Sequence, residues 1–155
     1  MELFFASAMI EIVTASIENL LHVVPLFDQY RVFYNQESNI EGAKAFLKER
    51  FRKNDSMIFL AYCSDEPVGF TQLYPLFSSV SMQRSYVLND LFVHPDFRKK
   101  QIGEALLNRA KKFCLDNKAK GLALETAIDN PAQRLYEKLD WVKDVDSFHY
   151  FWTAQ

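Results

Sequence analysis

Residues 86–117, YVLNDLFVHPDFRKKQIGEALLNRAKKFCLDN, constrain this chain more than any other stretch. Val87, Leu88, Leu91, Phe92 and Val93 form an apolar, partly β-branched run suited to a buried strand. Pro95 and Asp96 end it. Ile102, Ala105, Leu106, Ala110 and Phe113 then recur at helical spacing. Between strand and helix lies Arg98-Lys99-Lys100-Gln101-Ile102-Gly103. A strand that enters a helix through a basic turn makes an anion site. The first N–H groups of a helix have no intrahelical acceptor, and the helix dipole favours negative charge there. Gly103 lets a bulky phosphate approach the backbone. A lone charge run is ordinarily a solvated turn; the strand, glycine and helix around this one favour binding.

The chain has 155 residues, 49% of them apolar and 25% charged, which suits one globular domain over 1–155. A net charge of −2 argues against wholesale nucleic-acid binding, and the basic turn is local. Cys63 and Cys114 are too few for a disulfide framework and read as free, structural thiols of a reducing cytoplasm. Residues 1–8 lack a positive n-region, so they read as a disordered or strand-like leader rather than a signal peptide. No run approaches the roughly 18 apolar residues of a membrane span. His94 and His149 have no spaced ligand partners, so no metal site is expected.

Residues 9–14 alternate as a half-buried strand. Ser16 is a plausible N-cap, with Asn19 in the third helical position, for a helix to about Tyr34. Pro25 predicts a kink or two short helices. A second helix is expected over 40–53, a strand over 56–64, a turn at 65–67 and an antiparallel strand over 68–76. Pro75 marks a bend or an edge there, and 78–84 reads as a loop. After the helix at 102–117 come a strand at 121–127, a helix at 130–138 capped by Asn130, Pro131 and Gln133, and a last strand within 142–153. The order β-α-α-β-β-β-α-β-α-β is an α/β domain around one mixed sheet.

These motifs resemble the GNAT N-acetyltransferases. LNDLFVHPDFR followed by KKQIGEALL resembles the family's acyl-donor motif, with Arg98 in its first place and Gly103 in its last. Gln101 stands where the family usually has a glycine. Residues 130–141, NPAQRLYEKLDW, look like the family's second motif, with Asp140 in place of a usual glycine. The resemblance implies an α/β, mostly antiparallel sheet flanked by helices, with acetyl-CoA in a wedge between two splayed central strands. It implies that Leu91, Phe92 and Val93 meet the pantetheine arm and acetyl carbonyl. Arg98, Lys99, Lys100, Gln101, Ile102, Gly103 and Glu104 would wrap the diphosphate, and Asn130 would contact the pantetheine region.

Tyr136 matches the tyrosine that commonly protonates the departing thiolate in this family. PLFDQYRVFYNQ together with LNDLFV also looks like the small polyamine and histone-type members. In those, a Glu-Asp pair occupies the places of Asn89 and Asp90. Asn89 cannot take a proton, which leaves Asp90 as the substitute base. Asp28, Tyr30, Arg31 and Tyr34 fall in the region that forms one wall of the family's acceptor cleft. They could receive a cationic amine through charge and ring quadrupole; the alternative is that the aromatics are core. The implied activity is direct transfer of acetyl from acetyl-CoA to a primary amine of a small molecule, peptide or protein in a ternary complex. An acyl-CoA sensor, an inactive paralogue, or use of another acyl-CoA remain the alternatives. Relatives are commonly homodimers, and the aromatic tail SFHYFW is a candidate contact surface.

Overall fold

The computed structural model describes residues 9–155. The elements are β1 (Ile10–Thr14), α1 (Leu20–Phe33), α2 (Ile40–Lys53), β2 (Met57–Cys63), β3 (Glu66–Ser78), β4 (Gln83–Val93), α3 (Ile102–Asp116), β5 (Leu122–Ala123) and α4 (Gln133–Lys138). Among the described residues the strands form one sheet in the order β1-β2-β3-β4-β5. The first four run antiparallel, and β5 joins β4 in parallel. The expected leader at 1–8 lies outside the described residues. The chain divides into two compact units, one reaching Glu125 and the other Thr126–Gln155.

Strand alternation sorts the first unit's core into two layers. Ile58, Leu60, Phe70 and Phe92 face Val23, Val24, Phe27, Ala43 and Leu47 of α1 and α2. On the other face, Phe113 of α3 packs edge-on against Phe59 and Tyr86, and Arg109 lies over Phe59. Each β2 side chain from Ile58 to Ala61 is buried, as a strand covered by helices on both faces requires.

Local signals explain most boundaries. Ser16 and Asn19 form a reciprocal capping box on a 3-10 turn, Ile17–Asn19, that leads into α1. Helix α1 then passes Pro25 without a break. Leu21, whose carbonyl Pro25 leaves without its usual donor, is 68% exposed, so solvent can serve that carbonyl. Helix α2 ends at Asn54 in the left-handed conformation. The β2–β3 turn sits at Ser64 and Asp65, both left-handed, one step earlier than expected. Pairing of β2 with β3 stops at Leu73, so Pro75 lies on a stretch paired on one side only. Cys63 and Cys114 are free and buried.

Three further expectations, all C-terminal to α3, need correction. The strand at 121–127 contracts to Leu122–Ala123, paired with Tyr86 and Val87. The helix at 130–138 contracts to α4. Residues 142–155 form no strand, and Phe148, Tyr150, Phe151 and Trp152 are strongly exposed. An apolar pattern prepares a segment for a sheet, but a strand forms only where an edge accepts it.

Candidate active site

The short pairing with β5 leaves β4 open from Leu88 onward. Its main chain has a definite orientation there. The His94 N–H donates to the Val68 carbonyl (2.8 Å), so in the antiparallel ladder the main-chain groups of Phe92 also face β3. Those of Leu91 and Val93 face the open edge. Between the pairs Gln72–Asp90 and Leu73–Leu88 the register slips, and Asn89 is the extra residue of a β-bulge.

The edge runs into the basic turn. Lys99 (φ 60°) and Gln101 (φ 63°) are both left-handed, which curls the backbone toward the anion-binding nest geometry. Gln101 thus adopts the conformation that a glycine takes without strain. It is the N-cap of α3 and gives no side-chain cap, and the first intrahelical bond runs from the Ala105 N–H to the Gln101 carbonyl (3.0 Å). The N–H groups of Ile102 and Gly103 therefore have no intrahelical acceptor. Lys99 and Lys100 are exposed, with Lys100 Nζ 5.3 Å from the Phe97 ring centre. Arg98 folds back instead. Its Nε donates to the Val93 carbonyl (3.0 Å), and its guanidinium lies 5.8 Å and 5.9 Å from the Phe33 and Phe92 ring centres. It ties the strand end to α1.

On the α1 face sits a polar cluster that the sequence did not announce as one. Asp90 is 2% exposed. Its Oδ2 accepts from Gln72 Nε2 (2.5 Å) and its Oδ1 from Asn89 Nδ2 (2.8 Å). Burial pushes its carboxyl pKa up, and hydrogen bonds from Gln72, Asn89 and Tyr30 pull the other way. Tyr30 donates to the Asn89 carbonyl (3.1 Å), and burial beside Asp90 pushes its phenol pKa up. The same causes act on Tyr74, opposed by Arg50. Gln72 Oε1 is buried with no partner. A carboxylate enclosed in this way does not meet a substrate amine directly.

The expected acceptor wall divides. Tyr34 joins Tyr30 and Phe33 in a run of edge-on rings, its centre 5.0 Å from that of Tyr30 and 5.3 Å from that of Phe33. Asp28 points inward. It accepts from Ser38 Oγ (2.6 Å) and the Asn39 N–H (2.7 Å), fixing the α1–α2 connection. Arg31 donates to the Glu37 carbonyl (3.2 Å) in the same connection. These two side chains hold a loop, a use that their sequence pattern did not reveal.

Within the second unit, Asn130 Oδ1 accepts from the Ala132 N–H (2.9 Å), while Gln133 reaches the carbonyls of Ala127 (3.1 Å) and Ile128. The tight turn ahead of α4 is therefore built by the residues that signalled a cap. Tyr136 is half-buried, its ring centre 6.0 Å from that of Trp141. Asp140, in the place of a usual glycine, is left-handed at φ 65°. Among the described residues no cluster of three or more His, Cys, Asp or Glu is placed to hold a metal. No helix there is long and apolar enough to cross a membrane.

Comparison with known proteins identifies the family. The sequence model of the acetyltransferase (GNAT) family matches residues 23–141. The chain is 50% identical over 129 residues to the uncharacterized N-acetyltransferase YhfO of Bacillus subtilis, covering 83% of this chain and 87% of that one. A crystal structure described as a probable acetyltransferase superposes with a TM-score of 0.89 at 36% identity, over 94% of this chain and 98% of that one. An aminoglycoside N-acetyltransferase solved with CoA shares the fold, with a TM-score of 0.80 at 17% identity over 98% and 100% of the two chains. By its family match and by these relatives, the chain belongs to the GNAT family and is an N-acetyltransferase.

Proposed function

We propose that the chain moves an acetyl group from acetyl-CoA to a primary amine of a small molecule, peptide or protein, by direct attack in a ternary complex. One observation carries the reading. The main chain of Leu91 and Val93 faces an open edge that leads directly into a left-handed basic turn and a helix start without a side-chain cap. That sequence of donors fits a long ligand with a diphosphate at one end and amides and a thioester at the other. Lys99, Lys100, Gln101, Ile102, Gly103 and Glu104 would hold the diphosphate, mainly by N–H groups and the helix dipole. Leu91 and Val93 would hold the pantetheine arm, and Arg98 braces the strand end behind them.

Bound there, acetyl-CoA supplies an acyl group activated as a thioester. The Val93 N–H faces the edge where negative charge would develop on the acyl oxygen, the arrangement that lowers such a barrier. The amine must arrive neutral, since an ammonium has no lone pair. Tyr136, which matches the family's thiolate-protonating tyrosine, would give its phenolic proton to the departing thiolate, and the proton shed by the acylated nitrogen would restore the phenol through solvent; Asn130 shapes the turn that precedes the helix of Tyr136. Holding both reactants in place supplies much of the acceleration. The ring series Tyr30, Phe33 and Tyr34 offers the acceptor an aromatic wall. The site of action is the cytoplasm.

Calorimetry with acetyl-CoA and CoA, followed by thiol release on a panel of amines, tests the reading; an absence of binding by both ligands removes it. Tyr136→Phe should lower kcat by about a hundredfold or more and flatten the pH profile of transfer. An unchanged kcat across pH takes Tyr136 out of the acid role. The second reading, an acyl-CoA-binding protein without transfer, is favoured by the enclosure of Asp90 and the amide at Asn89. Binding without thiol release on any amine would select it.

A further inference from the structure

We infer that Tyr30 is a positioning residue for the acyl donor: its hydroxyl pins the one-residue bulge at Asn89 that turns the main chain of Leu91 and Val93 to the open edge of β4. The inference rests on the reading that this edge receives the donor.

The bulge inverts the strand. Tyr86 packs on Phe113 of α3. Phe92, an even number of residues further on, would face the same way in a regular strand. It packs instead on Tyr30 and within the α1–α2 core. The main chain inverts with the side chains. The Tyr86 N–H faces β5, donating to the Gly121 carbonyl (3.1 Å). Past Asn89 the odd-numbered residues take over that edge. Without the extra residue, Leu91 and Val93 would turn their N–H groups into the ladder with β3, and Asp90 and Phe92 would exchange sides.

A bulge is a local loss of ladder bonds and needs compensation. Here it comes from a closed set of hydrogen bonds. Thr71 Oγ1 donates to the Asp90 carbonyl (2.8 Å), and Gln72 Nε2 to its carboxylate (2.5 Å). Asn89 Nδ2 also donates to that carboxylate (2.8 Å). Tyr30 donates to the carbonyl of Asn89 itself (3.1 Å). The first three bonds lie within the sheet. The Tyr30 bond comes from α1, the helix that also carries Phe33 and Tyr34, so it joins the aromatic wall to the donor edge. The Tyr30 ring already packs on Phe70 and Phe92. A purely packing role needs the ring and not the hydroxyl.

Tyr30→Phe keeps the ring and deletes the bond. The probes are acetyl-CoA and 3′-phospho-ADP, the nucleotide half of the donor without its pantetheine arm. The expected result is a loss of acetyl-CoA affinity of about threefold to tenfold, with 3′-phospho-ADP binding held within about twofold. Amide exchange over 88–93 should rise in the ligand-free protein. Asn89→Ala, at an exposed side chain, removes the bond to Asp90 and leaves the Tyr30 bond in place, so it should move the same readouts in the same direction by less than Tyr30→Phe; an equal or larger effect would overturn the role of the Tyr30 hydroxyl. Equal losses for both ligands would mean general loosening and would overturn the inference, as would no change for either. If the wild type binds neither ligand, the donor reading falls, and the inference falls with unchanged exchange over 88–93.

Discussion

Asp90 is a buried carboxyl whose proton affinity rises on folding. The folded state is therefore favoured at acid pH and loses ground as pH rises through the folded-state value. Tyr30 and Tyr74 face this carboxyl with phenol values also pushed up, and Arg50 and Asp55 pair with one another nearby at 3.3 Å. Asp90→Asn removes the ionisation. Melting curves of both proteins between pH 4 and pH 8 should show the variant gaining on the wild type as pH rises. Gln101 stores strain of another kind. At φ 63° an L side chain costs about 1 kcal/mol, part of which returns as unfolded-chain entropy if glycine replaces it. Gln101→Gly should stabilise by up to about 1 kcal/mol, and Gln101→Val should destabilise by about 1–2 kcal/mol, read by urea unfolding. Gln101 and Asp140, two departures from the family's glycines, both keep the glycine-like conformation. The sequence could signal the departure but not the dihedral.

At the scale of elements, β4 is held as closely as it is aimed. A Cβ on Gly69 would lie 2.8 Å from the Phe92 carbonyl oxygen and 3.4 Å from Val93 Cα. Gly69→Ala must therefore push β4 outward where Val93 meets the open edge. We expect a stability loss of about 1–3 kcal/mol and weaker acetyl-CoA binding, checked by melting and calorimetry. Elements whose ends carry their own chemistry were legible in the sequence. Helix α2 runs over its expected residues because Asn39 caps one end, accepting from the Gly42 N–H (2.8 Å), and Asn54 closes the other. The capping box at Ser16 and Asn19 is of the same kind. The bulge was not legible, because LNDLFV reads equally well as a regular strand and only the packing of both faces shows the slip. Arg98 was placed on the phosphate turn, yet its side chain turns back to the strand. Charge predicts affinity for anions but not which of several acceptors a flexible arm meets.

Across the whole molecule, the first unit holds every buried side chain among the described residues, and residues 126–155 hold none. Local stability follows burial. Hydrogen exchange should be slowest in β2, β3 and the bonded part of β4, and near the unprotected rate over 142–155. The sequence conveyed the order of elements and the family but overstated the sheet. It supplied an aromatic run at the tail, while the partner that would make that run a strand lies outside what a local pattern encodes. The inversion at Asn89 has a consequence for how such a chain changes over time. Past that point one strand serves two masters: its main chain would address the donor, while the side chains of Asp90 and Phe92 face α1. Peptide groups are the same in every sequence, so substitutions past Asn89 that keep the bulge can remodel the face toward α1 while the main-chain groups at the open edge stay in place.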